Sequence, residues 1–188
     1  MVLRINMAYK NFWSLNTDEA IVSGILRDET DKNLEVLMPM NAQMKGVDLV
    51  LMNVKTKNAV TIQVKGSKAF EPDKKAKIQY GYGSSSWFFL DTKTITDATA
   101  DYFIFLIYVI DEDYKIGRRT LSPHSIVIPT SKLQELTNNH KKIHGGRYSY
   151  YFWINPKTNE AFDVRDEKYY VNEYLDKSGY SKLNEQLI

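Results

Sequence analysis

Cysteine is absent from the 188 residues, so neither a disulfide frame nor a thiolate metal site is available. A reducing compartment fits that absence. Long apolar runs are missing too. The strongest, Tyr102 to Ile110, is far too short to cross a bilayer as a helix and reads as a buried strand. Met1 to Leu15 lacks the continuous apolar core of a signal peptide, and the expected setting is cytoplasmic, with no membrane partner. Charge of one sign is also lacking: the formal net charge is +2, so any nucleic-acid partner must be argued from where charges lie. No serine–histidine, cysteine–histidine or zinc-type arrangement is visible. No repeat, low-complexity tract or linker divides the chain, which suits one domain over residues 1–188.

What is present centres on Gly46 to Lys68. Two β-rich runs flank the polar connector Lys55-Thr56-Lys57-Asn58, a hairpin signature. In the second run Val60, Ile62 and Val64 share one face, and Thr61, Gln63 and Lys65 the other. A turn centred on Thr56-Lys57 sets Asp48 opposite Lys65, with Gln63 one diagonal step away. Opposed residues share a face with Cβ atoms roughly 4.5–5.5 Å apart. A carboxylate, an amide and an ammonium therefore converge on one patch.

Upstream, Asn16 can cap a helix running to about Glu29, with Glu19 completing a capping-box pattern. Ile21, Val22, Ile25 and Leu26 form its buried stripe, and Glu19 points along that stripe. Glu19 either closes the capping box or reaches the patch of Asp48. Tyr9, Phe12 and Trp13 are expected to pack onto the body. Leu34 to Met38 reads as a strand stopped by Pro39, and Met40 to Lys45 as a loop.

Downstream, the composition of Glu71 to Ser86 is that of a surface loop. Trp87 to Leu90, Asp101 to Ile110 and Ser125 to Ile128 read as strands, and Thr92 to Thr99 as a connector able to carry a helical turn. Asp111-Glu112-Asp113 reads as a solvated turn. A helix follows from Thr130 or Ser131 to about Asn138, with Leu133 and Leu136 inward. Gly145-Gly146 breaks the chain. Tyr148 to Ile154 and Ala161 to Val164 form a hairpin, and the tail from Glu167 is helical, interrupted near Ser178-Gly179. A mixed α/β sheet with helices packed on it is the fold class this order implies.

The patch has a chemistry. Mg²⁺ takes oxygen ligands and uses one or two carboxylates. Asp48 and Glu19 can supply charge, Gln63 a side-chain oxygen and Val64 a main-chain carbonyl. Lys65 would help position or deprotonate a water and stabilise charge growing on a phosphate. Such a set suits phosphodiester hydrolysis.

The Glu19 helix, the Gly-Val-Asp48 strand start and Ile62-Gln63-Val64-Lys65 resemble the PD-(D/E)xK nuclease superfamily, in its variants with Q-x-K. The motif covers about Asn16 to Lys68, and Trp87 to Pro129 fits the later strands by pattern. The resemblance implies a restriction-endonuclease-like αβββαβ core, a mixed central sheet flanked by helices. It implies a metal-dependent DNA endonuclease using Mg²⁺ or Mn²⁺, acting on double-stranded DNA in restriction, defence or repair, with a homodimer favoured. Asp48 would be the metal-binding aspartate, Gln63 would stand at the second acid, Lys65 would be the catalytic lysine and Glu19 the helix glutamate. Val47 replaces the motif proline, and Gln63 removes one negative charge from the metal site. A catalytically inactive nucleic-acid-binding or protein-interaction module that keeps the fold is the alternative.

Other residues enter as secondary candidates. Lys68, Lys74, Lys75 and Lys77 either grip phosphates or ride on a solvated loop. Arg118 and Arg119 offer a second phosphate contact or ordinary surface charge. Trp87 and Tyr82 can stack on bases, with core packing the expectation for Trp87. His140 and His144 have ligand spacing but no third ligand nearby, and His124 reads as structural or neutral.

Overall fold

The computed structural model describes residues 16–39, 46–68, 70–113, 117–138, 145–165 and 168–188. In order these form α1 (Thr17–Glu29), β1 (Leu34–Leu37), β2 (Leu49–Asn53), β3 (Ala59–Gly66), α2 (Lys74–Tyr80), β4 (Ser84–Asp91) and α3 (Thr92–Thr96). There follow β5 (Tyr102–Asp113), β6 (Arg118–Pro129), α4 (Thr130–Asn138), β7 (Arg147–Asn155), β8 (Glu160–Asp163), β9 (Tyr169–Tyr170), a 3-10 turn at Asn172–Tyr174 and α5 (Asp176–Glu185).

Two sheets result. The first has five strands in the order β1-β2-β3-β5-β6, mixed because β3 runs parallel to β5 while every other neighbour is antiparallel. A parallel pair needs a long crossover, and α2, β4 and α3 lie in it. The second sheet has the order β4-β7-β8-β9. Alternation along β5 explains the layering. Ile104 and Leu106 join Val22 and Leu26 of α1, Val60, Ile62 and Val64 of β3, and Tyr180 and Leu183 of α5. Phe103, Phe105, Ile107 and Val109 instead meet Phe88, Tyr150, Phe152 and Ile154 of the second sheet. Helices thus cover one face of the first sheet. A second sheet, joined by Ile95 of α3 and Leu133 of α4, covers the other, where sequence reasoning put helices.

Several elements depart from the pattern-based expectations. Glu71 to Ser86 holds a helix, α2, because Asp73 accepts the Ala76 N–H at 2.7 Å and starts it, and β4 begins at Ser84. Asp111 to Asp113 continue the β5 ladder opposite Thr120 to Arg118, so the acidic run belongs to a long ribbon. Pro123 is tolerated inside β6 because β6 is an edge strand. Among the described residues no helix is long and apolar enough to cross a membrane.

Gly179 does not interrupt the tail helix; it lets α5 approach β6. A Cβ there would lie 2.4 Å from the Tyr174 carbonyl oxygen and 2.8 Å from Val127 Cβ. Gly179→Ala should therefore lower unfolding free energy by about 1–3 kcal/mol, read as a lower urea midpoint. A midpoint equal to the parent's would mean that α5 can move aside freely.

Candidate functional site

The site begins with a turn. Asn53 Oδ1 accepts the N–H groups of Lys55 and Thr56 at 2.9 and 3.1 Å, while the Lys57 N–H reaches the Asn53 carbonyl at 2.8 Å with Lys57 at φ +65°. This Asn-built turn spans Val54 to Lys57 and closes one residue earlier than a turn centred on Thr56-Lys57. Leu49 consequently stands opposite Ile62, which brings Asp48 to the level of Gln63 and leaves Lys65 one diagonal step away. The direct Asp48–Lys65 opposition expected from sequence is corrected to Asp48–Gln63. A two-residue register change leaves each side chain on its own face, so the group stays together.

Asp48 sits where the β2–β3 ladder ends. Its N–H donates to the Ile62 carbonyl at 2.8 Å, and its Oδ2 accepts the Val64 N–H at 2.8 Å. The carboxylate replaces a main-chain acceptor and is held beside β3. Because N–H and C=O of one residue in an extended strand point to the same edge, the Val64 carbonyl is directed to this edge as well. Gly46, at φ +83°, makes the turn that delivers Val47 and Asp48 into place.

Glu19 is 6% exposed despite its charge. Its position follows from how α1 is seated. Asn16 caps α1 by accepting the Asp18 N–H at 3.3 Å. Asp18 lies directly over Gly66, where any Cβ would fall 1.8 Å from Asp18 Oδ2, and its Oδ1 accepts the Tyr108 hydroxyl at 3.2 Å. The first turn of α1 thus rests on the end of β3, immediately beyond Lys65. Sequence reasoning missed Asp18 and Tyr108 as anchors. The available signal was a glycine directly after the lysine, which permits close approach.

Lys65 is half-buried, and burial pushes its ammonium below the ordinary value of 10.5. Asp48 and then Glu19 act the other way, and desolvation outweighs both. Lys65 thus lies in the field of both candidate metal acids. Gln63 is 7% exposed, with its Nε2 next to Gly46. It opens on a cleft of about 300 Å³ lined by Gly46, Lys93, Thr94, Asp97, Ala98 and Thr99.

Among the described residues no three His, Cys, Asp or Glu side chains form a metal cluster. Two carboxylates, an amide oxygen and a main-chain carbonyl are an all-oxygen set of the kind Mg²⁺ or Mn²⁺ accepts, and Mg²⁺ needs no more than one or two carboxylates.

The basic candidates lie elsewhere. Lys74, Lys75 and Lys77 are exposed on α2, whose Tyr80 packs on Trp153 and Phe162 of the second sheet, and Lys68 is exposed just past β3. Arg119 pairs with Glu71 at 3.4 Å, and Arg118 is exposed. Trp87 is 48% exposed on β4, where core packing was expected, because Phe88 takes the inward position. His124 Nδ1 lies 2.7 Å from Asp176 Oδ2 and Ser125 N–H donates to Asp176 Oδ1, which ties α5 to β6 in a structural role. His140, His144, Tyr9, Phe12 and Trp13 fall outside the described residues. Comparison with protein families, characterised proteins and solved structures finds no match to the chain.

Proposed function

We propose that the protein is a Mg²⁺- or Mn²⁺-dependent DNA endonuclease of the PD-(D/E)xK type, with Asp48, Glu19, Gln63, Val64 and Lys65 as its site. One observation carries the reading. A half-buried lysine with a depressed proton affinity lies in the field of two acids, one at the end of the β2–β3 ladder and one from the first helix. Further support is the mixed α/β order, α1, the β1-β2-β3 meander, then a crossover to β5 alongside β3, which is of the general kind an αβββαβ core would have, with the crossover also carrying β4 of the second sheet.

Asp48, Glu19, the Gln63 amide oxygen and the Val64 carbonyl would hold the metal. When bound, it would supply positive charge against the phosphate and make a nearby water more acidic. The chain's own part is proton handling and charge. Lys65 Nζ, neutral more readily than a free lysine, accepts a proton as the water oxygen bonds to phosphorus. As an ammonium it then faces the added negative charge on the phosphate oxygens. The phosphorus bond to the departing oxygen breaks, and that oxygen leaves with a proton from solvent. Duplex cleavage by one such site per chain favours a homodimer.

A second reading is specifically favoured by Gln63, which leaves the site one carboxylate short: a nucleic-acid-binding or interaction module that no longer binds metal. Calorimetric titration with Mg²⁺ and Mn²⁺, with and without a DNA duplex, separates the two. Saturable binding lost in Asp48→Asn is the expected result. Absence of heat with either ion, DNA included, selects the silent module.

A further inference from the structure

The outer face of the second sheet interleaves aromatic rings with cations. Alternate residues of β4 and β7 turn away from the core, and Trp87 and Phe89 stay 48% and 44% exposed with ring centres 6.0 Å apart. Trp87 stands in register with half-buried Tyr151, and its indole N–H donates to Ser149 Oγ at 2.5 Å, which fixes the ring. Arg147 lies 5.2 Å from the Phe89 ring centre, and Lys168 lies 3.9 and 4.7 Å from those of Phe162 and Tyr170. At the end of this sheet Lys157 sits 3.7 Å from Tyr82, and Tyr80 docks the lysine-bearing α2 over Trp153 and Phe162. Among the described residues the acids beside these groups are Asp91, paired with Arg147, Glu160, which accepts the Thr158 hydroxyl, and Asp73, which caps α2. From β4 to β9 the face spans three strand spacings, about 14 Å.

Adjacent half-exposed Trp and Phe rings on a strand mark a binding surface. The cations select the partner, because a ring-and-cation surface suits a polyanion that shows flat apolar faces. Single-stranded nucleic acid has both features, whereas a duplex keeps its bases stacked inside. The face also adjoins the candidate site. Ser67 Oγ, two residues past Lys65, donates to the Trp87 carbonyl at 3.1 Å, so the catalytic strand runs directly to the edge of β4.

We propose that the outer face of the second sheet binds unpaired nucleotides by stacking on Trp87 and Phe89, with Arg147 and Lys168 on the phosphates. The nucleic acid reaching Lys65 would then carry a single-stranded segment beside the cut. This last step rests on the nuclease reading, and the binding does not.

The test is fluorescence anisotropy with a labelled mixed-sequence single-stranded oligodeoxynucleotide and its duplex, in EDTA. The single strand should bind more tightly, and Trp87→Ala with Phe89→Ala should weaken it by at least about tenfold, with Trp87→Phe and Phe89→Tyr restoring it. Lys168→Gln, which leaves every ring in place, should lower the salt slope of single-strand binding by about 0.7. Equal affinity for the two forms, or single-strand affinity unchanged in the alanine pair, overturns the proposal. So does a dimer that the alanine pair dissociates while oligonucleotide affinity is unchanged, because the face would then be covered by a second copy. Mg²⁺-dependent cleavage of plasmid DNA and of a duplex carrying a single-stranded gap, assayed on the same preparations, tells the two readings apart. Stacking without cleavage of either substrate leaves the binding face standing and removes the nuclease, and cleavage without single-strand binding does the reverse.

Discussion

Alanine at Lys65 should abolish Mg²⁺-dependent nicking of supercoiled plasmid DNA, with the rate falling by roughly 10³-fold or more. The chain should keep its fold, because removing the ammonium relieves a desolvation cost that outweighs its attraction to Asp48 and Glu19. At Asp48 the cleaner variant is asparagine. Its amide oxygen can still accept the Val64 N–H, whereas alanine leaves that donor without its partner and costs about 1–3 kcal/mol. Asp48→Asn should therefore lose nicking as completely as Lys65→Ala while unfolding at the parent's urea midpoint. The pH profile distinguishes a base from a mere counter-charge. Burial lowers the proton affinity of Lys65, so the wild-type rate should rise with pH and level off below 10.5. Lys65→Arg, which stays charged, should not show that rise. Linkage gives a matching stability trend. The unfolded chain binds the proton more tightly, so the penalty for burying Lys65 is full below its folded-state pKa and fades as pH climbs from there toward 10.5. Nicking undiminished in both Lys65→Ala and Asp48→Asn would end the hydrolase reading.

Those residues could be chosen from sequence because a period of two ties chemistry to a face. Gln63 and Lys65 had to lie together, and pairing the two runs across a hairpin turn set Asp48 on the same face. The register error shows where that logic stops. Alternation fixes which face a residue takes, but the turn fixes which residue it meets, and here the turn is shaped by Asn53 folding back on the Lys55 and Thr56 amides. The second sheet was legible only in pieces. Tyr148 to Ile154 and Ala161 to Val164 read as a hairpin, but the pairing of β4 with β7 joins residues about sixty positions apart, and no local pattern encodes it. The seating of α1 was hidden for a different reason. Asp18 reads as an ordinary first-turn acid, favourable at any helix N-terminus, and only its place over Gly66 shows that it holds the neighbouring Glu19 against the sheet. The exposed ring of Trp87 was misjudged because Trp87 and Phe88 are equally apolar, so the run from Trp87 to Leu90 carries no alternation to say which of them faces in.

In the nuclease reading Gln63 is the residue on which activity would turn, and placing a carboxylate there should move metal binding and metal-free stability in opposite directions. Gln63→Glu is close to isosteric, so packing against Gly46 and the Thr99 side of the cleft is preserved. Without metal, a third acid would join Asp48 and Glu19 at a position 7% exposed. Like charges and desolvation would destabilise the fold by about 1–3 kcal/mol, and the new carboxyl would hold its proton to higher pH than a free glutamate. With metal present the same charge becomes an attraction, and affinity for Mg²⁺ should tighten by about tenfold or more, with a larger gain at higher pH as the proton is displaced. Thermal unfolding reads both effects in one series. The variant should melt below the parent in EDTA and gain more from saturating Mg²⁺, because stabilisation follows the logarithm of ion concentration over dissociation constant. A variant that melts lower in EDTA and gains nothing from Mg²⁺ or Mn²⁺ would place the Gln63 side chain outside the metal's reach. Asp48 and Glu19 would then be the whole of the charge available, and the silent module would become the better account.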